Sequence, residues 1–164
     1  MLRTGLIAIL SLFASFGGIE TALAAPALSP LDQAAVFKAA GFKKITVTVA
    51  GSRPQDAAAL RKLGAELGVR PIILAVHTTG ISDRQAEMLA DSCDLVWSCA
   101  SRAVREIVGK AAKLQIGISI PVFALTDEGK RLVLNRTLHF PESLVMHRAG
   151  LPLAPEGKQP EPLI

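Results

Sequence analysis

The chain has 164 residues, half of them hydrophobic and a fifth charged, which gives room for one domain with a real core and excludes wholesale disorder. Six Phe, one Trp and no Tyr leave few aromatic platforms for single-stranded nucleic acid, and a net charge of +4 spread along the chain does not point to a DNA or RNA partner. Two cysteines, Cys93 and Cys99, are too few for the disulfide framework of a small secreted protein.

Met1-Leu2-Arg3 leads into an apolar run from Gly5 to Phe16, and Ala22-Leu23-Ala24 follows. A basic start, a short apolar stretch and a small-residue exit form the pattern of an exported protein's signal peptide, with cleavage near Ala24. The run is too short to cross a bilayer as a helix, so no membrane span is expected. The alternative is that residues 1–28 are an interior piece of a longer cytoplasmic protein. Glu20 and the Gly17-Gly18 pair fit a cleavage region poorly.

Ser29-Pro30-Leu31-Asp32 reads as a helix start, and Gly41 as its stop. Ile45 to Val49 is rich in β-branched residues and reads as a strand. Ser52 and Gln55 have capping-box spacing ahead of a helix carrying Leu60, Leu63 and Leu67, which Gly68 closes. Pro71 to Val76 is continuously apolar, as suits a strand covered on both faces. His77-Thr78-Thr79-Gly80 turns the chain into a helix opened by Ser82 and Gln85. Asp94 to Ser98 reads as a third strand, and Ser101 caps a helix with Val104, Ile107 and Val108 on one face. Leu114 to Ile118 and Pro121 to Leu125 are further extended segments, and Thr126-Asp127-Glu128 opens a last helix.

Strands alternating with helices predict an α/β fold: a single Rossmann-like domain with a mainly parallel sheet flanked by helices. The expected division is an apolar segment over residues 1–28, the α/β domain over 29–138 and a Pro-rich flexible tail over 139–164.

In such a sheet the strand-to-helix turns share one edge, and ligands bind there. Three turns qualify: Gly51-Ser52, His77 to Gly80, and Ser98 to Ser101. Cys99 precedes a helix amino terminus, which favours a thiolate, and His77 could act as its base. The alternative is that Cys99 is a small buried hydrophobe and His77 an ordinary hydrogen-bonded residue. Arg102 and Arg105 lie in the first turn of their helix, where the dipole prefers acids. With Gly51, Ser52, Thr78, Thr79, Gly80 and Ser101 they could form a pocket for a small anionic ligand such as a phosphate or carboxylate.

Cys93 and Cys99 lack C-x-x-C spacing, so neither a redox pair nor a metal site is signalled. Nucleotide loops and hydrolase elbows are missing too, which leaves any cofactor unknown.

The ordered set Gly41 to Gly51, Ala75 to Ser82, Ser98-Cys99-Ala100-Ser101 with Val104 to Ile107, and Ile120 to Thr126 resembles the methanogenesis marker protein 8 family over Leu31 to Arg136. The resemblance implies a cytoplasmic accessory or maturation role with no established reaction. It also implies that this chain corresponds to the carboxyl-terminal half of a longer protein. His77, Thr78, Thr79, Gly80, Cys99, Ser101 and Arg105 lie in the shared motifs. Three functions compete: binding of a small anionic ligand, catalysis by a Cys99 thiolate with His77, and a truncated remnant that self-associates or docks on a protein partner.

Overall fold

The computed structural model describes residues 44–153 and, ahead of them, positions 29, 31, 32, 34, 38, 41 and 42. The signal-peptide-like segment, and with it the exported reading, lies outside the described residues. Leu31, Asp32, Ala34 and Lys38 are helical, and Ser29 and Asp32 cap the start reciprocally, with Ser29 Oγ 2.6 Å from the Asp32 carboxylate.

The remaining elements are β1 (Thr46–Ala50), α1 (Pro54–Glu66), β2 (Ile72–Val76), α2 (Asp83–Ser92), β3 (Leu95–Trp97), α3 (102–111), β4 (Leu114–Ile116), β5 (Val122–Ala124) and α4 (Asp127–Thr137). Ser82 and Gln85 form the expected capping box of α2, and Thr126 Oγ1 caps α4 by accepting from Gly129 N at 3.1 Å. The box expected at Ser52 and Gln55 does not form. Pro54 presets the first helical position of α1, so the cap shifts to Arg53, and the Ser52 carbonyl accepts from Gln85 Nε2 instead.

The α/β class is what the structure shows: one five-stranded sheet in the order β1-β2-β3-β5-β4, with helices on both faces. Parallel pairing is confined to β1, β2 and β3, while β5 runs antiparallel to both β3 and β4. The parallel pairing expected from the sequence holds through β1, β2 and β3 and gives way to antiparallel pairing at the other end for a geometric reason. The link from Ile116 to Val122 is too short for a crossover, so β4 and β5 can only meet as a hairpin, turned at Gly117 with φ +80°.

The two faces are unequally covered. Val47, Val49, Ile73, Ala75, Val96 and Phe123 point into a core shared with α1, α2 and α3. Leu74, Leu95 and Ala124 point the other way, where Val133 of α4 is the buried helical partner. Residues 141–150 are exposed and without regular structure. The chain then returns to the body, where Leu153 exchanges two hydrogen bonds of 2.8 Å with the Gln115 side chain.

The edge where the parallel strands begin is tied by one ion pair. Arg61 on α1 donates from Nη2 to the Asp94 carboxylate at 2.6 Å, from Nη1 to the Pro71 carbonyl at 2.6 Å and from Nε to the Ser92 carbonyl at 2.9 Å. Asp94, only 1% exposed, also accepts from Ile73 N at 2.8 Å and from Thr126 Oγ1 at 2.5 Å. Gly129 passes so close to the Asp94 carbonyl that no Cβ could be accommodated there.

Removing one partner of a buried pair leaves the other charge stranded. Arg61→Met is expected to lower the unfolding free energy by about 3 kcal/mol, read from urea denaturation. A loss within the range of an ordinary surface substitution, about 0.5 kcal/mol, would show that Arg61 does not hold this edge.

Candidate functional site

At the opposite edge the turns after β1, β2 and β3 lie side by side, because these strands are parallel neighbours. Gly51 N donates to the Val76 carbonyl at 2.7 Å. A Cβ on Gly51 would come within 2.6 Å of Thr78 Cγ2, so only glycine lets the first turn close on the second. Thr78 is fully buried, and its hydroxyl proton is shared between the Trp97 carbonyl at 2.7 Å and the Ser98 carbonyl at 2.8 Å. That hydroxyl locks the second turn to the third.

Behind the third turn, Ser101 Oγ accepts from Val104 N at 3.2 Å and caps α3. Residues Val104–Val108 form a π-helical turn, in which Gly109 N reaches the Val104 carbonyl. This turn carries Arg105. Arg105 is 5% exposed, and its guanidinium donates to Ser98 Oγ at 3.3 Å, to the Cys99 carbonyl at 3.4 Å and to the Ser119 carbonyl at 3.5 Å. Burial pulls its pKa below the ordinary arginine value. Arg105 therefore pins α3 to the ends of both β3 and the β4–β5 hairpin.

Two residues of this edge hold unusual backbone conformations. His77 has φ +55° and Cys99 has φ +48°, both in the left-handed region that non-glycine residues rarely occupy. They end adjacent parallel strands. Such conformations persist only where the surroundings over-determine them, as the Thr78 and Arg105 bonds do here.

The structure thus gathers all the sequence candidates on one edge but divides them by access. Ser52, His77, Thr79, Gly80 and Arg102 are exposed and Cys99 is half-buried, whereas Gly51, Thr78, Ser101 and Arg105 are buried. The hydroxyls of Thr78 and Ser101 are engaged with the protein's own backbone, which makes them supports of the edge. Among the described residues no hydrogen bond joins the His77 and Cys99 side chains, and no group of acidic, His or Cys side chains is arranged to hold a metal. Buried Ser98, which receives Arg105, was missed as a candidate, although its place at the end of an apolar run was visible.

Both cysteines are free. Cys93 is buried at the start of β3, where desolvation, against a lowering contribution from Arg61, pushes its thiol up to about 12. Cys99 is the accessible one.

Residues 12–138 match the family described as "Uncharacterized protein conserved in archaea (DUF2099)". The chain belongs to this family. It is 37% identical over 123 residues to an uncharacterized protein of Methanocaldococcus jannaschii, across 75% of this chain and 41% of that relative. The chain thus spans about two fifths of the length of that family relative. No solved structure matches it. All three turns fall within the family match. Among the described residues no helix is long and apolar enough to cross a membrane.

Thr78→Val keeps the shape but strands two backbone carbonyls, and it is expected to cost about 2 kcal/mol in denaturant unfolding. An unchanged midpoint would remove Thr78 as the lock of the edge. Iodoacetamide at pH 8 is expected to add one label to the native protein, on Cys99, and two to the unfolded chain, counted by intact mass and located by peptide mapping. Labelling of Cys93 in the native state would contradict its burial.

Proposed function

We propose that this edge binds a small anionic ligand and that the domain serves a cytoplasmic accessory or maturation role. That role is of the kind implied by the resemblance to methanogenesis marker protein 8. The observation that carries the reading is the pair of left-handed strand ends at His77 and Cys99. Local strain of this sort, held by buried bonds on a rigid sheet, is characteristic of residues placed for a ligand. The π turn in α3 adds to it, since such turns concentrate at functional sites.

The groups that can reach a ligand are His77, Thr79, the Gly80 backbone, Ser52 and Arg102. Their donors and positive charge suit a phosphate or carboxylate. Arg105 supports this surface from below, and Ser101 orders the start of α3. The cytoplasmic reading is supported by the family match, which begins at residue 12, ahead of the Ala22-Leu23-Ala24 triplet. Cleavage after Ala24 would discard residues that the family shares. We read residues 29–138 as the α/β domain and 139–164 as its tail.

A second reading makes Cys99 a thiolate nucleophile with His77 as its base. A half-buried Cys99 and an exposed His77 at the ends of neighbouring strands favour it. In that case the alkylation of Cys99 slows when His77 is replaced by Ala. A third reading, docking on a protein partner or a second copy, draws on the exposed Leu138, Val145 and Met146.

The test of the first reading is a titration with inorganic phosphate followed by amide chemical shifts. Movement is expected at Thr79, Gly80 and Arg102, and Arg102→Gln is expected to weaken binding about fivefold. Shifts confined to other parts of the sheet, or equal affinity in the variant, would overturn it.

A further inference from the structure

The opposite edge, where the parallel strands begin, holds a cavity that none of the readings above uses. Its volume is about 230 Å³, and it is lined by Lys44, Arg70, Pro71, Ile72, Asp94 and Glu128. It lies a full strand length from the turns, about 16 Å along β2, five residues at about 3.3 Å each. Lys44 comes from the approach to β1, Arg70 from the link between α1 and β2, and Glu128 from the first turn of α4.

The charges here are not equivalent. Asp94 is already saturated by Arg61, Ile73 N and Thr126. Arg70 stands 3.6 Å from Asp94 Oδ1, close enough for attraction but too far for a hydrogen bond. Its side chain is 61% exposed, and among the described residues its guanidinium donates no hydrogen bond. Asp94 Oδ1 attracts the Nη2 end of this fork without accepting a hydrogen bond from it. Lys44 has no hydrogen bond or ion pair among the described residues. Two cations therefore line a recess that they share with the carboxylates of Asp94 and Glu128 and with the apolar Pro71 and Ile72.

A planar guanidinium beside an ammonium is a receptor for a carboxylate. The small volume, below the roughly 300–1,000 Å³ of sites for drug-sized molecules, limits the ligand to a few heavy atoms. Glu128, whose nearest cation is Arg131 at 3.8 Å, adds a negative group to the same lining. We propose that this cavity is a second site that binds a small amino-carboxylate: its carboxylate on Arg70 and Lys44, its ammonium towards Glu128, and its short apolar part on Ile72 and Pro71. A free phosphate dianion fits less well, because Glu128 repels it.

The experiment is a pair of titrations of the intact protein, with L-alanine and with propionate, followed by amide shifts. Both ligands are expected to move Arg70, Ile72 and Glu128, whatever happens at Thr79 and Gly80, so this site succeeds or fails independently of the turns. L-alanine is expected to bind more tightly than propionate, and Glu128→Gln to abolish that difference. Arg70→Gln is expected to weaken both ligands about tenfold, and Lys44→Gln to weaken them in the same direction. Lys44 is exposed, so its variant tests the site even if loss of Arg70 disturbs the Asp94 cluster. Absence of shifts at Arg70, Ile72 and Glu128 with millimolar ligand, unchanged affinity in Lys44→Gln and Arg70→Gln, or tighter binding of inorganic phosphate than of either carboxylate as read at those three residues would overturn the assignment.

Discussion

The Arg61–Asp94 pair is the constraint on which the sheet depends. Through it, one guanidinium and one carboxylate reach α1, the ends of the links into β2 and β3, and the cap of α4. Burying two charges is costly, and their mutual attraction offsets the cost only when the remaining donors and acceptors are satisfied. Here the guanidinium finds two carbonyls and the carboxylate a backbone amide and a hydroxyl. The backbone of Asp94 adds to the same junction, its N–H reaching the Ile73 carbonyl and its carbonyl receiving Leu125 N. A network so fully connected specifies one register between β2, β3 and β5.

The other edge is held by weaker means. Shared hydroxyl and carbonyl bonds, together with a glycine contact, bring the three turns together. Arg105 spreads its charge over backbone carbonyls and a serine hydroxyl, whereas Arg61 meets a carboxylate. The contrast suits a division of labour: a rigid base fixed by short ionic bonds, and an opposite rim where strained residues present their side chains to solvent.

Most of the element order was legible in the sequence because it is written in local patterns: β-branched runs, the Ser82–Gln85 box, the Thr126 cap. The Ser52–Gln55 spacing misled because Pro54 decides the start of α1 by its fixed φ. The antiparallel end of the sheet was hidden for another reason. Direction depends on the length of a link, and no residue between Ile116 and Val122 announces it alone. At the turns, residue types showed where hydroxyls would gather but not which of them the backbone would consume. Thr78 and Thr79 look alike in sequence, yet one is locked inside and the other faces solvent. Asp94 showed as a charge heading an apolar run, and only the arrival of Arg61, from 33 residues earlier, gives it a role.

Strand order also sets how the molecule can assemble. β1, α1, β2, α2 and β3 form successive neighbours, so each can dock as the chain supplies it. β4 precedes β5 in the chain yet lies outside it in the sheet, with β5 as its strand partner among the described residues. Among the described strands it pairs with β5 alone, and the hairpin takes its place when β5 finds β3, with Val96 meeting Phe123 across the span that holds α3 and β4. The separation is like that of Val47 from Ile73 across α1, so this closure costs about as much chain entropy as β1 on β2. The last two strands therefore join as one unit, a hairpin that docks on β3 through β5.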